Sequence, residues 1–198
     1  MTQEKAFEIL RAGHNVYLTG AAGSGKTYLL NKYIKFLREK GIGVGITAST
    51  GIAATHLGGL TIHSWAGIGI SRFVSDQDIK KIAANRRIAK RFVNAKTLII
   101  DEISMLDADR LSLVDRVARA ARGSWEPFGG MQVIFCGDFF SFLRLLKKAS
   151  SLLNSLIIPR PGKNWIRKFV ILRNNSGRET AIFLRCLMLF ASRKLMKR

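Results

Sequence analysis

Gly20 to Thr27 reads Gly-Ala-Ala-Gly-Ser-Gly-Lys-Thr: a glycine, four residues, then Gly25-Lys26-Thr27. Residues of these types at this spacing suit the binding of a phosphate chain. Gly20, Gly23 and Gly25 let the backbone curl, with Ala21, Ala22 and Ser24 between them, so that several N–H groups point inward at an anion. A following helix N-terminus adds partial positive charge. Lys26 has the reach for β- and γ-phosphates, and the Thr27 hydroxyl suits Mg²⁺. Two further acidic positions fit this chemistry. Asp101-Glu102 closes the apolar run Thr97-Leu98-Ile99-Ile100. An acid there stands near the metal ion, and a second acid can orient or deprotonate an attacking water. The alternative is an acid pair at the start of a helix, since Ile103-Ser104 follows. Gly137-Asp138 ends another apolar run and could sense the γ-phosphate side.

These groups need strands to carry them and helices to cover the strands. Val16-Tyr17-Leu18-Thr19 suits a buried strand, and Leu30, Tyr33, Ile34 and Leu37 have helical spacing up to about Lys40, where Gly41 closes the helix. A short amphipathic helix over 3–12 precedes them. Val44 to Ala48 and Gln132 to Cys136 suit further strands. A helix is predicted from about Asp107 to Arg122, and one basic helix over 76–93, carrying Lys80, Lys81, Arg86, Arg87, Lys90 and Arg91. That basic face either adds phosphate contacts or is simply solvated. Residues 49–71 form a long segment rich in Gly, Ser and Thr. Alternating helices and uniformly apolar strands predict an α/β domain with a parallel sheet covered on both faces. Ligands of such sheets gather at the carboxyl ends of the strands, where Lys26, Asp101, Glu102 and Asp138 all fall.

Composition narrows the class. The chain has 198 residues, 47% of them hydrophobic, and a formal net charge of +20, which points to a polyanionic partner. The charge is uneven: residues 1–140 hold 19 basic and 12 acidic side chains, whereas residues 141–198 hold 14 and one, Glu179. Cys136 and Cys186 form no metal or redox motif, so reduced thiols and a cytoplasmic location are expected, with a nucleoid or nucleus as the alternative. No secretory signal opens the sequence. The apolar run Ala181 to Ala191 is interrupted by Arg185 and too short to span a bilayer, so no membrane partner is expected.

The order of several stretches resembles the first motor domain of the PIF-one-like and RecD-like branch of superfamily-one DNA helicases. They are Leu18 to Thr27, Thr47-Ala48-Ser49-Thr50-Gly51-Ile52-Ala53-Ala54, Gly58 to Gly69, Leu98 to Met105, Phe128 to Val133, and Gly137-Asp138-Phe139-Phe140. The resemblance covers about residues 3–140 and implies a RecA-like ATPase domain using ATP and Mg²⁺, with single-stranded or forked DNA as partner. It implies that Lys26, Asp101 and Glu102 are catalytic, with Thr27 and Asp101 on the metal. It also implies that Gln3 reads the adenine, the other reading being an ordinary surface glutamine. Thr47, Ser49, Thr50, Thr61, His63 and Trp65 resemble residues that touch single-stranded DNA. Hydroxyls and backbone N–H groups suit phosphates, and His63 or Trp65 suits stacking, although Trp65 reads equally as a core aromatic.

After Phe140 the family pattern would continue Gln-Leu-Pro-Pro-Val, and the chain has Ser141-Phe142-Leu143-Arg144-Leu145. A shift of reading frame near Phe139–Ser141 accounts for both this break and the jump in charge. Suitable codons for Ser141 to Leu145, read from the third base of each, give Leu-Pro-Pro-Val. The same offset through Ile171 to Thr180 permits Leu-Thr-Glu-Gln-Phe-Arg-Gln-Gly-Asp. The alternative is a genuine basic tail that binds nucleic acid or anionic lipid. The expectation is therefore an ATPase domain over 1–140 and a poorly ordered basic tail over 141–198, without the family's second motor domain, binding ATP–Mg²⁺ and, weakly, DNA without unwinding it; the alternative is a non-catalytic nucleotide- or nucleic-acid-binding fragment.

Overall fold

The computed structural model describes residues 1–69, 74–138 and 168–172. The chain begins with helix α1 (Gln3–Arg11), capped by the Thr2 side chain, then strand β1 (Val16–Gly20) and helix α2 (Lys26–Glu39). Strand β2 (Val44–Ala48) follows, then the short elements α3 (Gly51–His56), β3 (Leu60–Thr61) and α4 (Ile62–Ala66). Helices α5 (Asp76–Ala84) and α6 (Arg86–Asn94) lead to strand β4 (Thr97–Asp101). Helix α7 (Ala108–Arg122), strand β5 (Gln132–Cys136) and strand β6 (Lys168–Leu172) complete the order.

All six strands are parallel, in the order β3-β2-β4-β5-β1-β6. Alternation along each strand splits the core in two, as a period of two requires. Tyr17, Leu98, Ile100, Val133 and Phe135 pack on the face that carries α4 to α7. Val16, Leu18, Ile99, Ile134 and Cys136 pack on the opposite face, against Leu10 of α1 and Leu29, Leu30, Ile34 and Leu37 of α2. The expected two-sided parallel sheet is thus present, and its carboxyl edge carries the loops after β1, β4 and β5.

The basic stretch over 76–93 is two helices and not one. Asn85 stands between them with extended backbone, and its Oδ1 accepts from the N–H groups of Arg87 at 3.0 Å and Ile88 at 3.3 Å. An asparagine that caps a new helix competes with continuation of the old one. The glycine-rich stretch over 49–71 contains α3, β3 and α4, begun by the Thr50 and Thr61 side chains as N-caps.

The expectation of a poorly ordered tail requires correction at one place. Lys168–Leu172 pairs with β1 over five positions, from Val16 with Lys168 to Gly20 with Leu172. Strand β1 has β5 on one side only, and its other edge would leave a row of backbone groups unpaired. Phe169-Val170-Ile171-Leu172 is rich in residues that favour strands, whatever the origin of the segment. The expectations for residues 139–167 and 173–198 lie outside the described residues.

Candidate functional site

Strand β1 ends at Gly20, and α2 starts at Lys26, so residues 21–25 turn the chain over the carboxyl edge of the sheet. Gly25 sits in the left-handed region at φ 85° and caps α2 without any side-chain acceptor. The N–H groups of the first turn of α2 therefore have no side-chain acceptor at the cap, as an anion site at a helix start requires. Gly20 is required for a different reason. A Cβ there would stand 2.6 Å from the Leu172 carbonyl oxygen and 2.6 Å from Ser24 Oγ. Ser24 Oγ is buried and has no hydrogen-bond partner among the described residues. Lys26 Nζ folds back to donate to the carbonyls of Gly20 at 2.7 Å and Ala21 at 3.1 Å. An arriving phosphate competes for this ammonium as a charged acceptor, which neutral carbonyls cannot match. Thr27 is exposed in the same helical turn. Gln3 is half-buried, and its Nε2 occupies the space a Cβ on Gly25 would need. The first residue of α1 is thereby set against the phosphate loop.

Asp101 ends β4 with its side chain almost fully buried, and its Oδ1 accepts from the Glu102 N–H at 2.9 Å. Glu102 has φ 50° and ψ 40°, an unusual conformation for a residue with a side chain. Its side chain makes no capping bond to the 3-10 turn Ile103–Met105, so the acid pair does not serve as a helix cap. Burial pushes the Glu102 carboxyl up, the Asp101 charge and then the Asp138 charge act in the same sense, and Lys26 opposes them. Asp101, Lys26 and Asp138 therefore all act on the Glu102 carboxyl at the carboxyl edge. A carboxylate held above its ordinary value, beside an ammonium, suits the acceptance of a proton from water. The elevated φ is a strained conformation of the kind that collects at functional sites.

The residues expected to touch DNA separate into two groups. Thr47 is fully buried in β2, and its hydroxyl donates to the Ile99 carbonyl at 2.6 Å. Trp65 is 6% exposed and meets the Phe92 ring edge-on at 4.6 Å between centroids. Both side chains belong to the interior, because the inward face of β2 and of α4 must be filled, and for Trp65 this is the core-aromatic alternative. Ser49, Thr50, Thr61 and His63 remain partly exposed. Ser49 donates to the Glu102 carbonyl at 2.7 Å, which ties the segment after β2 to the acid pair. Thr50 and Thr61 cap α3 and α4. Burial and then Arg110 push the His63 imidazole down, with Asp107 opposing, so it is neutral near pH 7.

Three contributors escaped the sequence reading. Leu172 places its carbonyl against Gly20. The Tyr17 hydroxyl donates to the Asp138 carbonyl at 3.2 Å, joining β1 to the end of β5. Cys136 lies beside Asp101, and burial together with that carboxylate pushes its thiol well up. The register that pairs Ile100 with Phe135 sets Cys136 next to Asp101, but no local pattern discloses that register. Among the described residues, no helix is long and apolar enough to cross a membrane.

The chain is similar in sequence and fold to known proteins. The sequence profile of the PIF1-like helicase family matches residues 2–176. That match runs beyond Phe140, where the motif correspondence breaks off. The ATP-dependent DNA helicase Pif1 of Psychrobacter sp. (strain PRwf-1) is 51% identical over 140 residues, 71% of this chain and 21% of the relative. The crystal structure of Pif1 helicase from Candida albicans superimposes with a TM-score of 0.73 at 34% identity, covering 92% of this chain and 42% of that one. Pif1 helicase from Bacteroides in complex with ADP-AlF3 and ssDNA gives a TM-score of 0.58 at 27% identity, covering 96% and 46%. The chain thus spans about a fifth of the length of the curated relative and under half of the structures.

Proposed function

The chain belongs to the PIF1-like helicase family, and from that premise we propose that it is the first motor domain of an ATP-dependent DNA helicase, binding and hydrolysing ATP in response to single-stranded DNA. The Glu102 carboxyl, acted on by Asp101, by Asp138 and by Lys26 at the open start of α2, carries this reading. Buried Ser24 Oγ, the glycine cradle, the exposed Thr27 at the start of α2 and the Asp101 carboxylate at the end of β4 are a donor set whose chemistry fits a nucleotide with Mg²⁺.

In this reading the loop N–H groups and Lys26 bind the β- and γ-phosphates. Thr27 and Asp101 hold Mg²⁺, which when bound neutralises developing charge on the phosphate oxygens. Glu102 orients the attacking water and accepts its proton at a carboxylate oxygen. Gln3 lies at the loop in a position to meet the base. Ser49, Thr50, Thr61 and His63 offer hydroxyl, N–H and ring contacts to a single strand. The tie between Ser49 and Glu102 gives that strand a direct route to the acid pair. With DNA as its partner, the protein would work in the cytoplasm, at the nucleoid or in a nucleus. Residues 141–198 read as a segment whose frame shifted near Phe139–Ser141, of which Lys168–Leu172 nevertheless completes the sheet.

The test is steady-state ATP hydrolysis with and without single-stranded DNA. DNA should raise a low basal rate, and Glu102→Gln should abolish both rates while leaving nucleotide binding intact. Full hydrolysis by the Glu102→Gln protein would remove the proposed role of that carboxylate.

A further inference from the structure

The cations of α5 and α6 are not used by the nucleotide site, and the structure separates them. Lys81 pairs with Asp78 at 3.8 Å. Arg91 Nη1 donates to the carbonyls of Ser64 at 2.9 Å and Trp65 at 3.1 Å, which locks α6 onto α4. Arg86, Arg87 and Lys90 are exposed and make no ion pair among the described residues. Ile88 and Phe92 take the buried stripe of α6. Residues 87, 90, 91 and 94 recur at helical spacing and share another face.

That face forms one wall of a groove. Arg87, Lys90, Arg91 and Asn94 line it together with Val44 and Trp65. No Asp or Glu is among its described lining residues. Strand β3 pairs only with Thr47 and Ala48, so Val44 lies at the margin of the sheet. A merely solvated helix face mixes signs, whereas α6 carries four cations in nine residues and no acid. Arg87 and Arg91 repel at a spacing of four, and Arg86 and Arg87 sit in the first turn, where the helix dipole disfavours positive charge. The arrangement is self-repelling unless an anion fills the groove.

We propose that this groove holds the phosphate backbone of single-stranded DNA as the strand passes from α4. Arg87 and Lys90 contact phosphates, and Arg91 both contacts a phosphate and fixes the wall through α4. The continuity is short: α4 has five residues, about 7.5 Å in length, and runs from the Thr61 cap past His63 to Trp65 at the groove. Trp65 is packed in the core and presents no face for stacking, so the groove recognises backbone and not base sequence. The inference rests on the reading of the chain as a DNA-binding motor domain.

The experiment compares the wild-type chain, the double variant Arg87→Gln/Lys90→Gln, and the control Lys5→Gln/Arg38→Gln, whose exposed cations lie on α1 and α2 across the sheet. Affinity for single-stranded DNA is measured over a salt series with oligonucleotides of about 4 and about 16 nucleotides, the range one module covers. With the longer strand, the groove variant should lose about 1.4 from the slope of log K against log salt, two phosphate contacts at about 0.7 each. The slope with the shorter strand and the slopes of the control should stay at wild-type values, as should ATP-analogue affinity in both variants. A groove variant with the wild-type slope, or a control that loses as much, overturns this proposal and leaves the motor-domain reading standing. Absence of any DNA binding by the wild-type chain overturns that reading and the groove with it.

Discussion

Leu172→Ala probes whether the late strand belongs to the working domain. Leu172 is 2% exposed and packs in the cluster that holds Val16, Leu18 and Leu29. The substitution removes three carbons, about 2.4 kcal/mol of transfer free energy at about 0.8 kcal/mol each. A residual cavity extends the usual range for Leu→Ala in a core to about 2–5 kcal/mol. Strand β6 is at the edge of the sheet, where relaxation is easiest, so about 2–3.5 kcal/mol is expected. For a domain of this size each kcal/mol shifts the melting temperature by about 2–4 °C, which gives a fall of about 4–14 °C. Thermal unfolding followed by circular dichroism reads it directly. Because the Leu172 carbonyl abuts Gly20, nucleotide affinity should fall in the same protein. A melting temperature within about 1–2 °C of wild type, the scale of a surface substitution, would show that β6 does not pack against β1 and would refute the reasoning.

Asp115→Ala should destabilise by about 3–5 kcal/mol, since its fully buried carboxylate accepts from the Phe128 N–H at 2.6 Å and from Arg119 Nε at 3.1 Å; chemical denaturation measures it. Glu102→Gln should make stability less dependent on pH. The folded carboxyl is raised, so its favourable contribution is complete below the ordinary glutamate value and is lost as pH rises through the higher folded value. Melts from acid to neutral pH should show the variant gaining on wild type as pH rises, and a constant difference would contradict the raised value. On a forked duplex the 198-residue chain should separate no strands, because closure of a second domain and its arginines are what couple hydrolysis to a step. Unwinding equal to that of a frame-restored chain carrying the downstream coding sequence would overturn this expectation.

The phosphate loop and strands β1, β2, β4 and β5 were legible because each is a local pattern. An apolar run ends in a ligand-type residue, and Gly25 precedes the helix that Lys26 begins. The division of 76–93 turned on one residue, Asn85, whose side chain reads equally as a solvent-facing amide within one helix until its bonds to Arg87 and Ile88 are visible. The inward position of the Thr47 and Trp65 side chains was not legible because a segment that resembles a DNA contact alternates between inward and outward positions. Only the pairing of β2 with β4 shows that the Thr47 hydroxyl is spent on Ile99. Strand β6 was hidden by a charge balance that drew attention to the lysines and arginines around it and away from Phe169 to Leu172. The seat of Gly20 on Leu172 is a contact between residues distant in sequence, and no local pattern carries it.

Titration of a fluorescent ATP analogue with Mg²⁺ against the wild-type chain and Lys26→Ala bears most directly on the phosphate loop as the nucleotide site. Lys26 Nζ is positioned at the loop by the carbonyls of Gly20 and Ala21. Its removal should cost about 1.5–3 kcal/mol, the scale of a hydrogen bond to a charged group, or about 10- to 150-fold in affinity. Equal affinity of the two proteins would contradict the assignment of Gly20 to Thr27 as the phosphate-binding element.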